Sequence, residues 1–238
     1  MAKTIEPNKG KRYNESAAAF DKESFYSPTE AFEFLGGFKR AKFDESVEVA
    51  VQLGVNPAKA DQIVRGTVSL PGGTGKTVRI AVFAEGEAAT AAKAAGAEFV
   101  GGAELVAEVE GGMMDFDLAI ASPELMPQVG KLGRALGPRG LMPNPKTGTV
   151  TPDPAKAVEQ FKGGMVEYRT DKDGNIHVAI GKASFEPAAL KENYAVLISE
   201  LNKAKPASAK GRYFKKAAIS LTMSPGVKID TSKIDELG

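Results

Sequence analysis

Between Val78 and Leu136, short apolar segments alternate with alanine-rich amphipathic ones, and this alternation constrains the fold more than any other feature of the chain. It predicts a strand over Val78 to Phe83, a helix over Glu87 to Ala95 and a short strand over Glu98 to Val100. A helix over Glu104 to Glu110, a strand over Leu118 to Ala121 and a helix from Ser122 to Leu136 complete the series. Strands that take turns with helices are joined by crossovers, which build a parallel sheet covered on both faces. The expectation is a small Rossmann-like α/β domain. Two breaker-rich crossings bracket it, Pro71 to Gly75 and Thr151 to Pro154, and each reads as a hinge.

The flanks carry a different pattern. The first dozen residues, with Lys9, Lys11 and Arg12, read as a polar arm. Ser27-Pro28-Thr29-Glu30 has the form of a capping box that opens a helix with Ala31, Phe32, Leu35 and Phe38 on its apolar stripe. Val47, Val49, Val51 and Leu53 alternate with polar residues as a half-buried strand does, and Ile63 to Leu70 fits a second strand. Beyond Pro154 come a helix (Ala155 to Phe161) and two alternating strands joined by a turn at Asp173-Gly174, which signals a hairpin. An amphipathic helix through Leu190, Tyr194, Leu197, Ile198 and Leu201 and a last strand, Ala217 to Met223, close the chain.

At 238 residues there is room for two domains with their own cores. The chain has no cysteine, which excludes disulfides and thiolate metal sites and suits a reducing cytosol. No apolar run approaches the ~20 residues of a membrane span, so a cytoplasmic location and no membrane partner are expected. His177 is the only histidine and cannot build a metal site alone; it reads as structural. The stretch LPGGTGKTVRI suggests a phosphate-binding loop, but Leu70 stands where that motif needs glycine and a strand follows where it needs a helix. No GxGxxG follows the first strand of the central region, and no nucleophile, base and orienter recur at a recognisable spacing. No enzyme, metal or cofactor is expected. The rival reading is a nucleotide-binding enzyme built on the central domain.

The net charge of +1 conceals an uneven distribution. From Leu201 to Ile229 there are seven basic residues, Lys210 and Lys215 among them, and not one acidic residue, which points to nucleic acid. A second acid-free stretch, GKLGRALGPRGLMPNPKTGTV from Gly130 to Val150, sets Lys131, Arg134, Arg139 and Lys146 in a frame of five glycines and three prolines. Such a loop keeps its shape without a core beneath it and can present cations and N–H groups to an anion. It can equally serve as a plain connection with solvated cations.

That stretch, together with RAKFDESVEVAVQLG (Arg40 to Gly54), DQIVRGTVSLP (Asp61 to Pro71), MDFDLAIASPELM (Met114 to Met126) and GKASF (Gly181 to Phe185), resembles the L-one family of large-subunit ribosomal proteins, which form the bacterial lateral stalk. The resemblance covers essentially the whole chain. It implies that the flanks pair as one discontinuous α+β domain, residues 1–72 plus 154–238, with an α/β domain, residues 73–153, inserted between them. It also implies that the discontinuous domain grips large-subunit ribosomal RNA through Lys42, Phe43, Asp44, Glu45 and Ser46 and through Ser220, Thr222, Met223, Ser224 and Pro225. Glu30 is a weaker candidate. The acidic members would accept from ribose 2′-OH and base amino groups. Further implied partners are tRNA leaving the E site, touched by Lys131, Arg134, Arg139 and Lys146, and the messenger of the protein's own operon, whose translation it represses. The protein itself is expected to be monomeric off the ribosome. Ser224 departs from the family pattern, since many relatives place glycine there, and the loop conformation is expected to differ slightly.

Overall fold

Alternation makes one face of β1 (Ser46–Leu53) apolar, and two distant segments lie beside it. β7 (Asn175–Lys182) and β8 (Phe214–Leu221) both pair antiparallel with β1, Ser46 opposite Lys182 and Val47 opposite Leu221. β9 (Val227–Ile229) pairs with β8, which gives the order β7-β1-β8-β9. This computed structural model describes residues 10–237, divided into one unit of residues 10–75 with 166–237 and another of residues 76–165.

In the first unit, α2 (Pro28–Gly37) and α8 (Pro187–Lys203) pack on the buried face of the sheet. Their contact surfaces merge with Val47, Val49, Val51, Ile176, Val178, Ile180 and Ile219 into one core. Leu197, Ile198 and Leu201 of α8 are almost wholly buried there, each contributing about 1.5–3 kcal/mol of apolar burial before chain entropy is counted. The expected capping box is formed: the Ser27 hydroxyl accepts from the Glu30 N–H, and the Glu30 carboxylate accepts from the Ser27 N–H at 2.8 Å. That N–H holds the Glu30 carboxyl below its ordinary range.

Several expectations are corrected here. Lys11 and Arg12 belong to α1 (Lys11–Ala17) rather than to an arm, while Lys9 lies outside the described residues. The hairpin at Asp173-Gly174 is not a paired one. β6 (Met165–Arg169) joins β2 (Arg65–Ser69) in a separate two-stranded ribbon, whereas β7 goes to β1. The turn between them is tight, because the Asp171 carboxylate accepts from the backbone N–H groups of Asp173 and Asn175 and from the Asn175 amide. Its exit diverges because Thr170 donates its N–H to the Val64 carbonyl and so holds β6 against β2. The last strand ends at Leu221, and β9 was not foreseen.

The second unit has a parallel sheet in the order β4-β3-β5, from β3 (Ile80–Phe83), β4 (Phe99–Gly101) and β5 (Leu118–Ala121). All four side chains of β3 are buried, in two layers. Ala81 and Phe83 face a core with Leu105, Val106 and Val109 of α4 (Ala103–Glu110), while Ile80 and Val82 face Ala92 of α3 (Gly86–Ala94) and Val158 and Phe161 of α7 (Pro154–Lys162). Since α7 completes this second layer, the boundary expected at Asp153 moves: residues 154–165 belong to this unit. The chain leaves it beside Gly164, whose φ of 108° is open to glycine and strained for other residues. The single helix expected from Ser122 to Leu136 is broken into α5 (Met126–Val129), a 3-10 turn (Gly130–Leu132) and α6 (Gly133–Leu136). Pro127 and glycines at 130 and 133 account for the interruption. No helix among the described residues is long and apolar enough to cross a membrane.

Candidate nucleic-acid interface

Two stretches 176 residues apart meet at one end of the four-stranded sheet. The Ser46 N–H donates to the Thr222 hydroxyl at 2.9 Å, and the Thr222 N–H donates to the Ser46 carbonyl at 3.1 Å. A third segment joins them: Lys182 donates to the Ser46 hydroxyl at 3.0 Å, Ser184 donates its N–H and its hydroxyl to the Asp44 carboxylate, and Arg40 donates to the Ala183 carbonyl at 2.7 Å. The geometry therefore brings Lys42, Phe43, Asp44, Glu45, Ser46, Ser220, Thr222, Met223, Ser224 and Pro225 to one junction. Lys182, Ser184 and Arg40 were not singled out from sequence, and the only signal for the first two was the GKASF match.

The side chains divide by what they can offer. Phe43 is 53% exposed and Met223 51%, and Lys42, Asp44 and Thr222 are exposed as well. Glu45 is buried, with its carboxylate 4.0 Å from the Arg12 guanidinium and its carbonyl accepting from Ala183. The expectation that Glu45 meets a 2′-OH is thus corrected: its carboxylate faces inward. The Glu30 carboxylate is engaged in its helix cap. Pro225 is buried. Ser224 fits without glycine's conformational range, since no residue other than glycine has a positive φ among those described. Its hydroxyl accepts from the Leu221 N–H at 2.9 Å, closing the turn that glycine leaves open.

Lys210 and Lys215 are not at this junction. β8 begins at Phe214, opposite Leu53, and reaches Ser46 only at Thr222, so Lys215 stands at the other end of the sheet. At ~3.4 Å per residue the separation is about 24 Å. His177 is in β7 as expected but on its exposed side, with Nε2 3.9 Å from the Asp171 carboxylate, so it has no packing role.

In the second unit Lys131, Arg134, Arg139 and Lys146 are all exposed, and no ion pair among the described residues involves them. The loop does have a core beneath it, contrary to expectation: Leu132 and Leu136 are buried, and Leu141 and Met142 pack on the same cluster. Farther on, the Asn144 N–H donates to the Thr149 hydroxyl at 2.7 Å, and Val150 bridges to Ala121 at the edge of β5. Where a nucleotide would sit in an α/β unit, beyond the carboxyl ends of the strands, the chain places Glu85 against Gly102 and Glu87 and Glu104 in the first turns of α3 and α4. Carboxylates there repel phosphate.

Residues 35–225 match the ribosomal protein L1p/L10e family, and the chain belongs to that family. It is a family of structural proteins, not of enzymes. The chain is 57% identical over 227 residues to the large ribosomal subunit protein uL1 of Beutenbergia cavernae, with 95% of each chain covered. It is 59% identical over 221 residues to the protein of the same name from Corynebacterium efficiens, covering 93% of this chain and 94% of that one. Against the Streptomyces avermitilis protein of that name the identity is 56% over 220 residues, with 92% of this chain and 91% of that one covered.

Proposed function

We propose that this protein is a structural constituent of the large subunit of the cytoplasmic ribosome and binds large-subunit rRNA at the junction of residues 42–46 with 220–225. One observation carries the placement. Of the three large hydrophobic side chains exposed among the described residues, Phe43 and Met223 flank this junction, where hydrogen bonds already hold the backbone in shape. Exposed apolar groups on a rigid polar frame suit unpaired bases and ribose edges, and hydroxyls at Thr222 and Ser46 suit 2′-OH groups. Residues 76–165 act as an inserted Rossmann-like domain. Their loop cations touch the backbone of tRNA leaving the E site, and the crossings beside Gly75 and Gly164 allow that domain to follow it. A junction that reads RNA shape accepts any messenger with the same shape, which supports repression of the protein's own operon. Off the ribosome the protein is a monomer.

Filter-binding titration against rRNA fragments tests the placement. Thr222→Ala and Met223→Ala should each weaken binding by about 1–3 kcal/mol with an unchanged salt dependence. Wild-type affinity in both variants rules out the junction as the contact.

A further inference from the structure

The acid-free block from Leu201 to Ile229 is only partly explained by the junction, because its lysines gather at the opposite end of the sheet. Lys210, Lys215 and Lys216 are exposed there and take part in no ion pair among the described residues. Arg212, beside them, is held by the Thr231 hydroxyl. The loop that carries Lys210 is itself fixed, since Gln62 donates to the Ser208 carbonyl at 3.3 Å and Gly54 donates to the Tyr213 carbonyl at 2.6 Å.

The surface between the two ends is the side of the sheet that no helix among the described residues covers. Its middle is low at Ala50, Ala179, Ala218 and Ser220, with His177 and Glu48 standing among them. At the far end Gln52 faces Lys216, and at the β9 edge Lys228 lies beside Ala218. The acidic groups on this path are Glu48, near the junction, Asp171, beside His177, and Glu23, which is paired with Lys228 at 2.8 Å. An A-form RNA helix offers a wide, shallow groove edged by 2′-hydroxyls and phosphates, which needs a low surface in the middle and cations at its margin.

We infer that RNA held at the junction continues as a helix across this sheet face and that its phosphate backbone meets Lys215, about 24 Å away along β8, with Lys216 and the loop residue Lys210 beside it. The inference rests on the junction reading above. Phosphate contacts of this kind add affinity and fix direction without reading sequence.

Two rRNA hairpins sharing the junction element test it, one trimmed to that element and one with its stem extended by roughly ten base pairs of A-form helix so that it runs past the lysines. Both are titrated, over a range of salt, with the full chain and with a Lys210→Ala, Lys215→Ala, Lys216→Ala variant of unchanged Tm. On the extended hairpin the variant's slope of log affinity against log salt should be smaller by about two units, at roughly 0.7–0.9 per lost phosphate contact. On the trimmed hairpin the two proteins should coincide. Equal slopes on the extended hairpin overturn this inference alone, and a loss of equal size on both hairpins places the lysines at the junction instead. If Thr222→Ala binds both hairpins as the wild type does, the junction reading falls and takes this one with it.

Discussion

Replacing Asn193 by alanine tests how the first unit anchors the end of its N-terminal segment. Asn193 is fully buried in α8, and its side-chain amide makes three bonds: its oxygen accepts from the Gly72 N–H at 2.9 Å, and its nitrogen donates to the Gly73 carbonyl at 3.0 Å and to the Ile180 carbonyl at 2.7 Å. One side chain thus ties the residues after β2 to both α8 and β7. At a net ~1 kcal/mol per hydrogen bond, the loss is about 3 kcal/mol, and more if the Gly72 N–H stays dry and unpaired. For a domain of this size, that lowers Tm by roughly 6–12 °C at about 2–4 °C per kcal/mol. Calorimetry of the full chain should show the transition of the first unit moving down while that of residues 76–165 stays in place. Trypsin should also cut after Lys76 faster in the variant. A Tm shift below about 2 °C, outside that range, or a shift of both transitions together, refutes the clamp.

Gly54→Ala should lower the urea midpoint sharply, because the new Cβ collides with the Arg212 carbonyl and the cost of such overpacking is about 1–3 kcal/mol or more; an unchanged midpoint contradicts it. In the second unit, burial raises the Asp117 pKa, but hydrogen bonds from the Arg79 side chain and backbone and from Lys76 outweigh it and leave the group below its ordinary 3.8. A depressed carboxyl stabilises the fold fully above its unfolded value and loses that contribution as pH falls through the folded value. The Tm difference between wild type and Asp117→Asn should therefore shrink in acid below about pH 3.8, and a constant difference argues against the charge. Replacing Arg134, Arg139 and Lys146 together by alanine should slow tRNA release from ribosomes and leave rRNA binding intact; unchanged release removes the tRNA role, and lost rRNA binding by a folded variant moves the main RNA site to the other unit.

Legibility in the sequence followed the range of the interactions. The capping box at Ser27 and Glu30 and the alternation of β1 are decided by residues a few places apart, and both were readable. β5 was placed to the residue. The partner of β6 was not, because the Asp173-Gly174 turn signals a reversal without saying which strand receives the chain after it. Thr170 and Val64, 106 residues apart, decide that. The allocation of α7 failed for a similar reason: Val158 and Phe161 announce an apolar stripe, but not whose sheet it covers. At the interface, the resemblance supplied the residues and the structure supplied their states. Glu45 was expected to be a contact and is buried, and Lys215, in the same basic block as Thr222, stands a strand's length from it.

The position of β1 between β7 and β8 also sets a timetable. A ribosome that makes this chain completes β1 at Leu53, yet neither neighbouring strand exists until Lys182 and Leu221 have been added. At roughly 5–20 residues per second, the valine-rich strand waits about 6–26 seconds before β7 can pair with one edge and about 8–34 seconds before β8 can pair with the other. Residues 76–165 emerge during that interval and hold every strand of their own sheet, so the middle of the chain can fold before its beginning. The portion synthesised first is therefore finished last, and throughout the delay its exposed edges are the part of the nascent chain most open to wrong pairing.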